Sequence, residues 1–404
     1  MTTKKGSVLG GTLLIGGSCI GAGMLALPIT TGLAGFYPAM LMFFCAWAFM
    51  TLTALLMIEA NAWFKDKVNI ISMVGHSLGK WGRLVSWTLY LFLFYALLVA
   101  YISGSGNLAS TFLHWSFSWN IPIWIASLFF VILFGWLVFL GTRPVDLWNR
   151  VLMVGKIATY LGMVFLGAAY VSPKLLTHFE PAYAVASLPV LVIAFGFHNM
   201  IPTLFSYMGG DVKRVRLTIL SGGLFALGIY IIWEVIVLGI VPLDGPSGIR
   251  ESLKGDKEAA QAVAGILGSS WVSMFAQGLA FFAILTSFLA QSLALVHFLS
   301  DGFKIKTQNR ENIKMCALAL FPPLVLSVIY PQLFFKALNF AGGICAVILF
   351  GVIPVCMVWK GRYAKRLSSP YQVFGGKPLL VGIFLFAVFV LGFQLLSMFG
   401  LYKT

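Results

Sequence analysis

Few side chains in this sequence could do chemistry, and those that could lie inside long apolar segments. Lys156, His198 and Glu234 are each surrounded by apolar residues, and a hydroxyl pair, Thr286 and Ser287, lies in another apolar segment. Ionisable groups are costly in hydrocarbon, so an amine or carboxyl there is by default a candidate for binding a ligand or moving a proton. The sequence has no HExxH or CxxC pattern, which argues against a metalloprotease or a redox enzyme.

The first apolar segment contains the stretch GGSCIGAGMLALP at residues 16–28. Each glycine in a helix interior costs about 0.8–1 kcal/mol relative to alanine, so this stretch favours an unwound segment. Freed backbone N–H and C=O groups cannot face lipid, and the break must therefore line a cavity within the protein. Close helix packing is the alternative use of small residues, but the glycines are denser than a packing face needs.

A second interruption lies in the apolar segment at residues 184–207. Residues 194–199 read AFGFHN, and Pro202 follows. A glycine, clustered polar side chains and a nearby proline together predict a break in the helix.

The composition is that of a polytopic membrane protein. Of the 404 residues, 60% are hydrophobic and 10% are charged, and the mean hydropathy is +0.95, whereas soluble domains have about 25% charged residues. The net charge of +15 is scattered over short connections, which argues against a nucleic-acid partner. The five cysteines all lie in apolar segments, and we expect neither a metal nor another cofactor.

Apolar runs near the spanning length of about 20 residues predict eleven helices. These spans one to eleven lie at residues 8–33, 36–63, 84–112, 120–141, 151–171, 184–207, 218–241, 271–300, 313–330, 333–359 and 379–400.

The distribution of Lys and Arg predicts the orientation of the spans. With the N-terminus inside, the outer connections contain only Lys174, Arg250, Lys254, Lys257, Lys336 and Lys403. All other Lys and Arg residues, with Lys156 counted provisionally, fall in the inner connections. The positive-inside rule therefore predicts a cytoplasmic N-terminus and an outer C-terminus.

The two interruptions occupy corresponding positions if the chain is built from two repeats. We predict a first repeat of five spans at residues 1–171, a second at residues 184–359, and an accessory span at residues 379–404. Because five is odd, the second repeat is inverted in the membrane. Paired breaks in inverted repeats indicate a binding site near the middle of the bilayer, as in secondary transporters.

Several stretches also resemble a known family. They are GGSCIGAGMLALP (16–28), YISGSG (101–106), LWNRVLMVGK (147–156), FGFHNMIPTLFSYMGGDVKRVR (195–216), FPP (321–323) and YP (330–331). They look like the tyrosine-specific permeases of the bacterial hydroxy and aromatic amino acid permease family. The resemblance implies an all-α, leucine-transporter-type five-plus-five fold with an eleventh helix, and proton-driven import of aromatic amino acids across the inner membrane.

A zwitterionic substrate fits the two broken helices. Helix ends supply fixed partial charges, so N–H groups would meet the carboxylate and carbonyl groups would meet the ammonium. The backbone groups expected to do so are those of Ile20, Gly21, Ala22, Gly23, Phe195 and Gly196. The substrate side chain is expected to contact Tyr101, Phe195, Phe197, His198 and Asn199.

The resemblance implies that Lys156 carries the coupling proton. Proton-coupled members of the wider superfamily have a span-five lysine whose amine takes the place of a sodium ion, between spans one and eight, and span eight here offers Thr286 and Ser287. A desolvated lysine can exchange a proton near neutral pH. The alternative is that Lys156 extends to the cytoplasmic headgroups as an anchor.

His198 and Glu234 are further candidates. His198 could bond a substrate hydroxyl or carry a proton, or it could be a neutral group that orients the break. Glu234 lies near the centre of span seven, where the resembling permeases tend to have Gln. It is expected to be either a second proton site or a protonated, hydrogen-bonded carboxyl.

The sequence thus predicts a proton-coupled symporter that imports an aromatic amino acid, tyrosine first, with the lipid bilayer as its surroundings. Carriers of tryptophan, phenylalanine or serine/threonine, and sodium coupling, are alternatives within the same class. An intramembrane enzyme or a channel is the alternative from other classes.

Overall fold

The computed structural model describes residues 6–64, 68–268, 270–303 and 310–401. These residues form helices and their connections. The α-helices are α1 (Val8–Cys19), α2 (Ala22–Thr31), α3 (Phe36–Asn61), α4 (Ile70–Leu78), α5 (Lys80–Phe117), α6 (Ile123–Leu140), α7 (Thr142–Gly167), α8 (Leu188–Ala194), α9 (Ile201–Tyr207), α10 (Val212–Ile240), α11 (Ile249–Lys254), α12 (Ala259–Leu267), α13 (Trp271–Phe303), α14 (Arg310–Ile329), α15 (Phe334–Phe340), α16 (Ile353–Trp359) and α17 (Gly376–Met398).

The helices long and apolar enough to cross a membrane agree with the predicted spans. Within the described ranges there are nine such segments, or ten when the bent pair α1 and α2 counts as one. The remaining predicted span is the shorter apolar helix Ile313–Ile329. Spans five and seven begin earlier than predicted, at Thr142 and Val212, because their polar first turns continue the helix. Of the basic residues used for orientation, Lys4, Lys5, Lys65, Lys67, Lys304, Lys306 and Lys403 lie outside the described residues.

Span one is broken, as predicted, but the break is short. The helices α1 and α2 meet at an angle of 59°, and only Ile20 and Gly21 leave the helical conformation. Gly16 stays helical and packs against the ring of Phe225, where a Cβ atom would clash. The glycine-rich stretch therefore serves both purposes, a break at Gly21 and close packing at Gly16.

Span six is also broken, as predicted. The helix α8 ends at Ala194, residues 195–197 are not helical, and a short 3-10 turn at His198–Met200 leads into α9. Pro189 and Pro202 lie in the first turns of α8 and α9, where the missing N–H of proline breaks no intrahelical bond.

Span ten contains a widened π-helical segment, Ala341–Val352, between α15 and α16. Gly342 in this segment lies so close to the carbonyl oxygen of Pro189 that a Cβ atom would overlap it. The absence of a side chain at Gly342 thus allows span ten to pack directly on the first half of span six.

One end of the bundle holds the start of the described chain, where the Gly6 N–H donates to the Tyr207 carbonyl at 2.9 Å. We call this end the N-terminal face. At the opposite face, the connection between α10 and α13 contains two short helices, α11 and α12. The carboxylate of Asp256 between them accepts the N–H groups of Phe334 and Phe335 at 2.7 and 3.0 Å, which ties this connection to the start of span ten.

At the N-terminal face, Glu59 at the end of α3 forms a buried ion pair. Arg362 donates to both carboxylate oxygens of Glu59 at 2.5 Å, and the Val373 N–H donates to the same group at 2.8 Å. The side chains are 8% and 0% exposed for Arg362 and Glu59. The pair joins span two to span ten and to the segment that precedes α17.

Removing one partner of this pair should be strongly destabilising. In the Arg362→Gln variant, the buried Glu59 carboxylate loses its cation, and we expect the free energy of unfolding to fall by about 3–5 kcal/mol. Thermal unfolding of the purified protein in detergent measures this. The control is Arg150→Gln, whose ion pair with Asp146 spans 2.8 Å but has side chains 76% and 58% exposed; such pairs contribute about 0–1 kcal/mol. Equal shifts in the two variants would contradict the prediction.

Candidate functional site

A cavity of about 300 Å³ lies between the two helix breaks. Its volume is at the lower end of the range of roughly 300–1,000 Å³ for small-molecule sites. Spans one, three, five, six, eight and ten contribute its walls. The lining residues used below are Gly17, Ser18, Ile20, Gly21, Ala22, Gly23, Leu93, Leu97, Tyr101, Lys156, Gly196, Asn199, Thr286, Ser287, Gln291, Leu338 and Phe350.

Lys156 binds the unwound backbone of span one. Its Nζ atom donates to the Ile20 carbonyl oxygen at 2.6 Å and to Thr286 Oγ1 at 3.3 Å. The residue is 3% exposed and lies about four turns into α7. Its side chain therefore ends inside the protein and does not extend to the headgroups. Lys156 is thus not one of the basic residues of the inner connections.

The hydroxyl pair of span eight lies on the other side of the same break. Ser287 Oγ accepts the Ala22 N–H at 3.1 Å, while Thr286 Oγ1 donates to the Ala283 carbonyl at 3.2 Å and so presents a lone pair to Lys156. A Cβ atom on Gly21 would lie 2.7 Å from Ser287 Oγ. The residue at the break must be glycine for this approach.

Some backbone groups at the break remain open to a ligand. The Gly21 N–H donates to the Cys19 carbonyl and the Met24 N–H to the Gly21 carbonyl. No internal acceptor is found among the described residues for the Gly23 N–H, and none of their N–H groups bonds the Gly17 and Ser18 carbonyls. The start of α2 thus offers a donor at Gly23, and the end of α1 offers acceptors, which suits the carboxylate and ammonium of one zwitterion.

The remaining wall is mostly apolar. Leu93, Leu97 and Tyr101 line it from successive turns of α5, and Leu338 and Phe350 line it from span ten. The polar side chains Asn199 and Gln291 lie among these apolar groups. This is the composition expected around an aromatic ligand with a few polar atoms.

Of the span-six residues expected at the substrate, Gly196 and Asn199 line the cavity, whereas Phe195, Phe197 and His198 lie behind its wall. The His198 ring stacks on Phe350 with centroids 4.8 Å apart and an angle of 12°. Phe195 instead packs edge-on against the ring of Tyr230 at 5.0 Å.

His198 has a defined hydrogen-bonding role in this position. Its Nε2 atom lies 2.9 Å from Thr53 Oγ1, and that hydroxyl donates to the Met50 carbonyl at 3.1 Å. Since the hydroxyl has one hydrogen, Nε2 must be the donor to Thr53. His198 thus donates from Nε2 and supports Phe350 from behind.

Glu234 is fully buried but lies six residues before the end of α10, nearer the opposite face than expected. Its Oε1 atom is hydrogen-bonded to the Thr31 hydroxyl, which also bonds the Leu27 carbonyl at 2.7 Å. The second carboxyl oxygen has no partner within the described part of the chain. If the Glu234 carboxyl is protonated, it donates to the Thr31 oxygen, and the Thr31 hydroxyl donates to the Leu27 carbonyl, so both bonds are satisfied. A Glu234 carboxylate would have to compete with the Leu27 carbonyl for the single hydrogen of the Thr31 hydroxyl.

Sequence reasoning missed Tyr230 and Trp233, two fully buried side chains of α10. The Tyr230 hydroxyl lies 2.6 Å from the Cys19 carbonyl and 2.7 Å from the Ala194 carbonyl, the last residues of α1 and α8. Trp233 Nε1 donates to the Met24 carbonyl at 3.1 Å. The available signal was a tyrosine and a tryptophan one turn apart beside Glu234, since buried Tyr and Trp need hydrogen-bond partners.

The cavity opens towards the N-terminal face. Ser18 and Asn199, both cavity-lining, are solvent-accessible. Asn199 also lines a second, wider cavity of about 750 Å³ between α4, α5, α9 and α13. We call this second cavity the vestibule.

The sequence matches the tryptophan/tyrosine permease family over residues 4–394. It is 32% identical over 388 residues to tyrosine-specific transport system 1 of Haemophilus influenzae, covering 95% of each chain. It is 30% identical over 410 residues to the tryptophan-specific transport protein of Shigella flexneri, covering 99% of this chain and 97% of the relative.

Among solved structures, the chain is similar to the crystal structure of MhsT in complex with L-phenylalanine. The TM-score is 0.61 at 14% identity, with 98% of this chain and 99% of that chain covered. MhsT has the leucine-transporter fold, and the predicted fold class is confirmed. With the match over almost its whole length, the chain belongs to the tryptophan/tyrosine permease family of aromatic amino acid permeases.

Proposed function

We propose that this permease imports an aromatic amino acid, L-tyrosine first, together with protons. The observation that carries the proposal is the contact of the Lys156 amine with the unwound Ile20 carbonyl at 2.6 Å. It puts a single ionisable group on the backbone that forms the substrate cavity. The names of the relatives, tyrosine- and tryptophan-specific, support an aromatic substrate.

Substrate binding in this proposal uses the polarity of the broken span one. The carboxylate accepts the Gly23 N–H and the Ser287 hydroxyl, and the ammonium meets the carbonyls of Gly17, Ser18 and Gly196. The substrate ring lies against Tyr101 and Phe350. Because the helix ends supply partial charges, no full charge has to be buried for the substrate alone.

Coupling follows from the charge on Lys156. As an ammonium, it stabilises the negative end of α1 and the Ile20 carbonyl; as a neutral amine, it loses most of this attraction. Loss of the proton therefore weakens the link between span one and spans five and eight. Since Lys156 lines the cavity that opens on the N-terminal face, its proton can leave on the same side as the substrate.

We further propose that the N-terminal face is the cytoplasmic side of a bacterial inner membrane. The described basic residues of that face, such as Arg83, Arg143 and Lys213, support this orientation by the positive-inside rule. The two five-span repeats at residues 1–171 and 184–359, with the accessory span at residues 379–404, are part of the same proposal.

The coupling role of Lys156 is tested by uptake into proteoliposomes. Under an imposed pH gradient without sodium, the native protein should accumulate radiolabelled tyrosine. The Lys156→Gln variant should still exchange tyrosine in counterflow but should not concentrate it, because it has lost the titrating group. Lys174→Gln, in an exposed connection, is the matched control and should behave as native.

Two outcomes would overturn this assignment. One is accumulation that requires sodium; the other is normal concentration by Lys156→Gln. Competition by unlabelled tryptophan, phenylalanine and serine in the same assay decides between tyrosine and the alternative substrates.

Tyr230 is expected to position the two broken helices for substrate binding. Tyr230→Phe keeps the ring but leaves buried carbonyl groups without their donor, at a cost of about 1–3 kcal/mol. We expect the KM for tyrosine uptake to rise about tenfold, equivalent to about 1.4 kcal/mol, with little change in the maximal rate.

The control for Tyr230 is Tyr160→Phe. The Tyr160 hydroxyl is also largely buried, but it donates to the Ile229 carbonyl at 3.1 Å, within the continuous helix α10. The KM of the Tyr160→Phe variant for tyrosine uptake should stay near the native value. If both variants raise the KM equally, or if Tyr230→Phe lowers only the maximal rate, Tyr230 has no specific positioning role.

Glu234 is proposed to be a neutral, hydrogen-bonded carboxyl. The Glu234→Gln variant retains a donor for the Thr31 hydroxyl, so both gradient-driven accumulation and the thermal unfolding midpoint should stay near native. If this variant instead exchanges tyrosine without concentrating it, as expected for Lys156→Gln, then Glu234 carries a coupling proton.

A further inference from the structure

The vestibule has an aromatic wall formed where α5 meets α13. The rings of Trp87 and Phe298 are stacked with centroids 5.4 Å apart and an angle of 24°. Tyr90 and Phe94 contact the same Phe298 ring, at 6.2 and 5.6 Å. All four residues line the vestibule, so it contains a continuous surface on which another ring could stack.

Two opposite charges flank this aromatic wall. Arg83 lies one turn before Trp87 on α5, and Asp301 lies about one turn after Phe298 on α13, so both are displaced from the stacked rings towards the N-terminal face. They are the charged side chains among the described lining residues. Neither has a salt-bridge partner within the described part of the chain.

The Arg83 side chain is held at the wall. Its guanidinium packs over Gly75 of α4, where a Cβ atom would lie 2.6 Å from Nε. The close approach to a residue without a side chain keeps the cation beside the vestibule, although Arg83 remains accessible to solvent.

We propose that the vestibule is a second binding site for a zwitterionic aromatic amino acid. Arg83 binds its carboxylate, Asp301 binds its ammonium, and its ring stacks on the wall formed by Trp87, Tyr90, Phe94 and Phe298. A guanidinium and a carboxylate on either side of an aromatic surface match the three parts of such a ligand.

This proposal rests on the proposed function, because the ligand is the same substrate. The vestibule shares Asn199 with the central cavity, so substrate released towards the N-terminal face passes the second site. Substrate that accumulates on that side occupies the second site and slows further release. The second site therefore provides inhibition by the product of transport.

Equilibrium dialysis of the purified full-length protein with radiolabelled tyrosine tests the proposal. The native protein should bind two tyrosine molecules with different affinities. The double variant Arg83→Gln/Asp301→Asn, which leaves the net charge unchanged, should weaken the second site by about tenfold or more, because bonds to both charged groups are lost. The first site should be unaffected.

Two matched variants locate the sites. Lys80→Gln removes a cation that lies over the Trp81 ring, one turn from Arg83 and outside the vestibule lining; it should retain both sites. Ser287→Ala should weaken only the first site, because Ser287 belongs to the central cavity.

If the native protein binds one tyrosine molecule, and Ser287→Ala weakens that binding, the vestibule site is overturned and the central site stands. Binding of two tyrosine molecules with affinities that the double variant leaves unchanged would also overturn the vestibule site. If the native protein binds no tyrosine at all, the proposed substrate itself fails.

Discussion

The contact between the Lys156 amine and the Ile20 carbonyl is the interaction on which the rest of the site depends. Span one is interrupted deep inside a membrane protein, where an unpaired backbone group costs several kcal/mol. The break is tolerated because side chains from three other helices pair its open groups. Lys156 of α7 bonds Ile20, Ser287 of α13 bonds the Ala22 N–H, and Tyr230 of α10 bonds the last carbonyl of α1. The cavity exists because these contacts hold the broken backbone of span one at several points.

These partners differ in a way that matters for alternating access. Lys156 and Ser287 approach the break from spans five and eight, whereas Tyr230 approaches from span seven and also bonds the end of α8 in span six. Tyr230 therefore links the two broken helices to each other, whereas Lys156 and Ser287 link span one to spans five and eight. Among these three partners, Lys156 is the basic side chain. In the proposed coupling, loss of the Lys156 proton weakens the link between two groups of helices while the geometry of the breaks stays intact, as a coupled transporter requires.

The sequence predicted the features that depend on composition and local chemistry. Apolar runs gave the spans, and glycine and proline gave both breaks, because these signals act within a few residues. By contrast, nothing local distinguishes Gly21 from Gly16, since the side chains that approach them, Ser287 from span eight and Phe225 from span seven, come from distant parts of the chain. For the same reason the roles of Tyr230 and His198 depend on the carbonyl or hydroxyl that a distant helix supplies.

Selectivity among aromatic amino acids depends on the few polar atoms in the wall. An apolar pocket distinguishes ligands that differ by one group only weakly, whereas a site whose polar groups are satisfied by a substrate hydroxyl rejects the analogue that lacks it far more strongly. In this cavity Leu97 and Phe350 supply apolar contact for any aromatic ring. The amides of Asn199 and Gln291 can donate to or accept from a phenolic hydroxyl. In the proposed function, tyrosine is preferred over phenylalanine to the extent that the substrate ring points its hydroxyl towards these amides, and a bulkier indole meets the ring of Phe350, which His198 supports from behind.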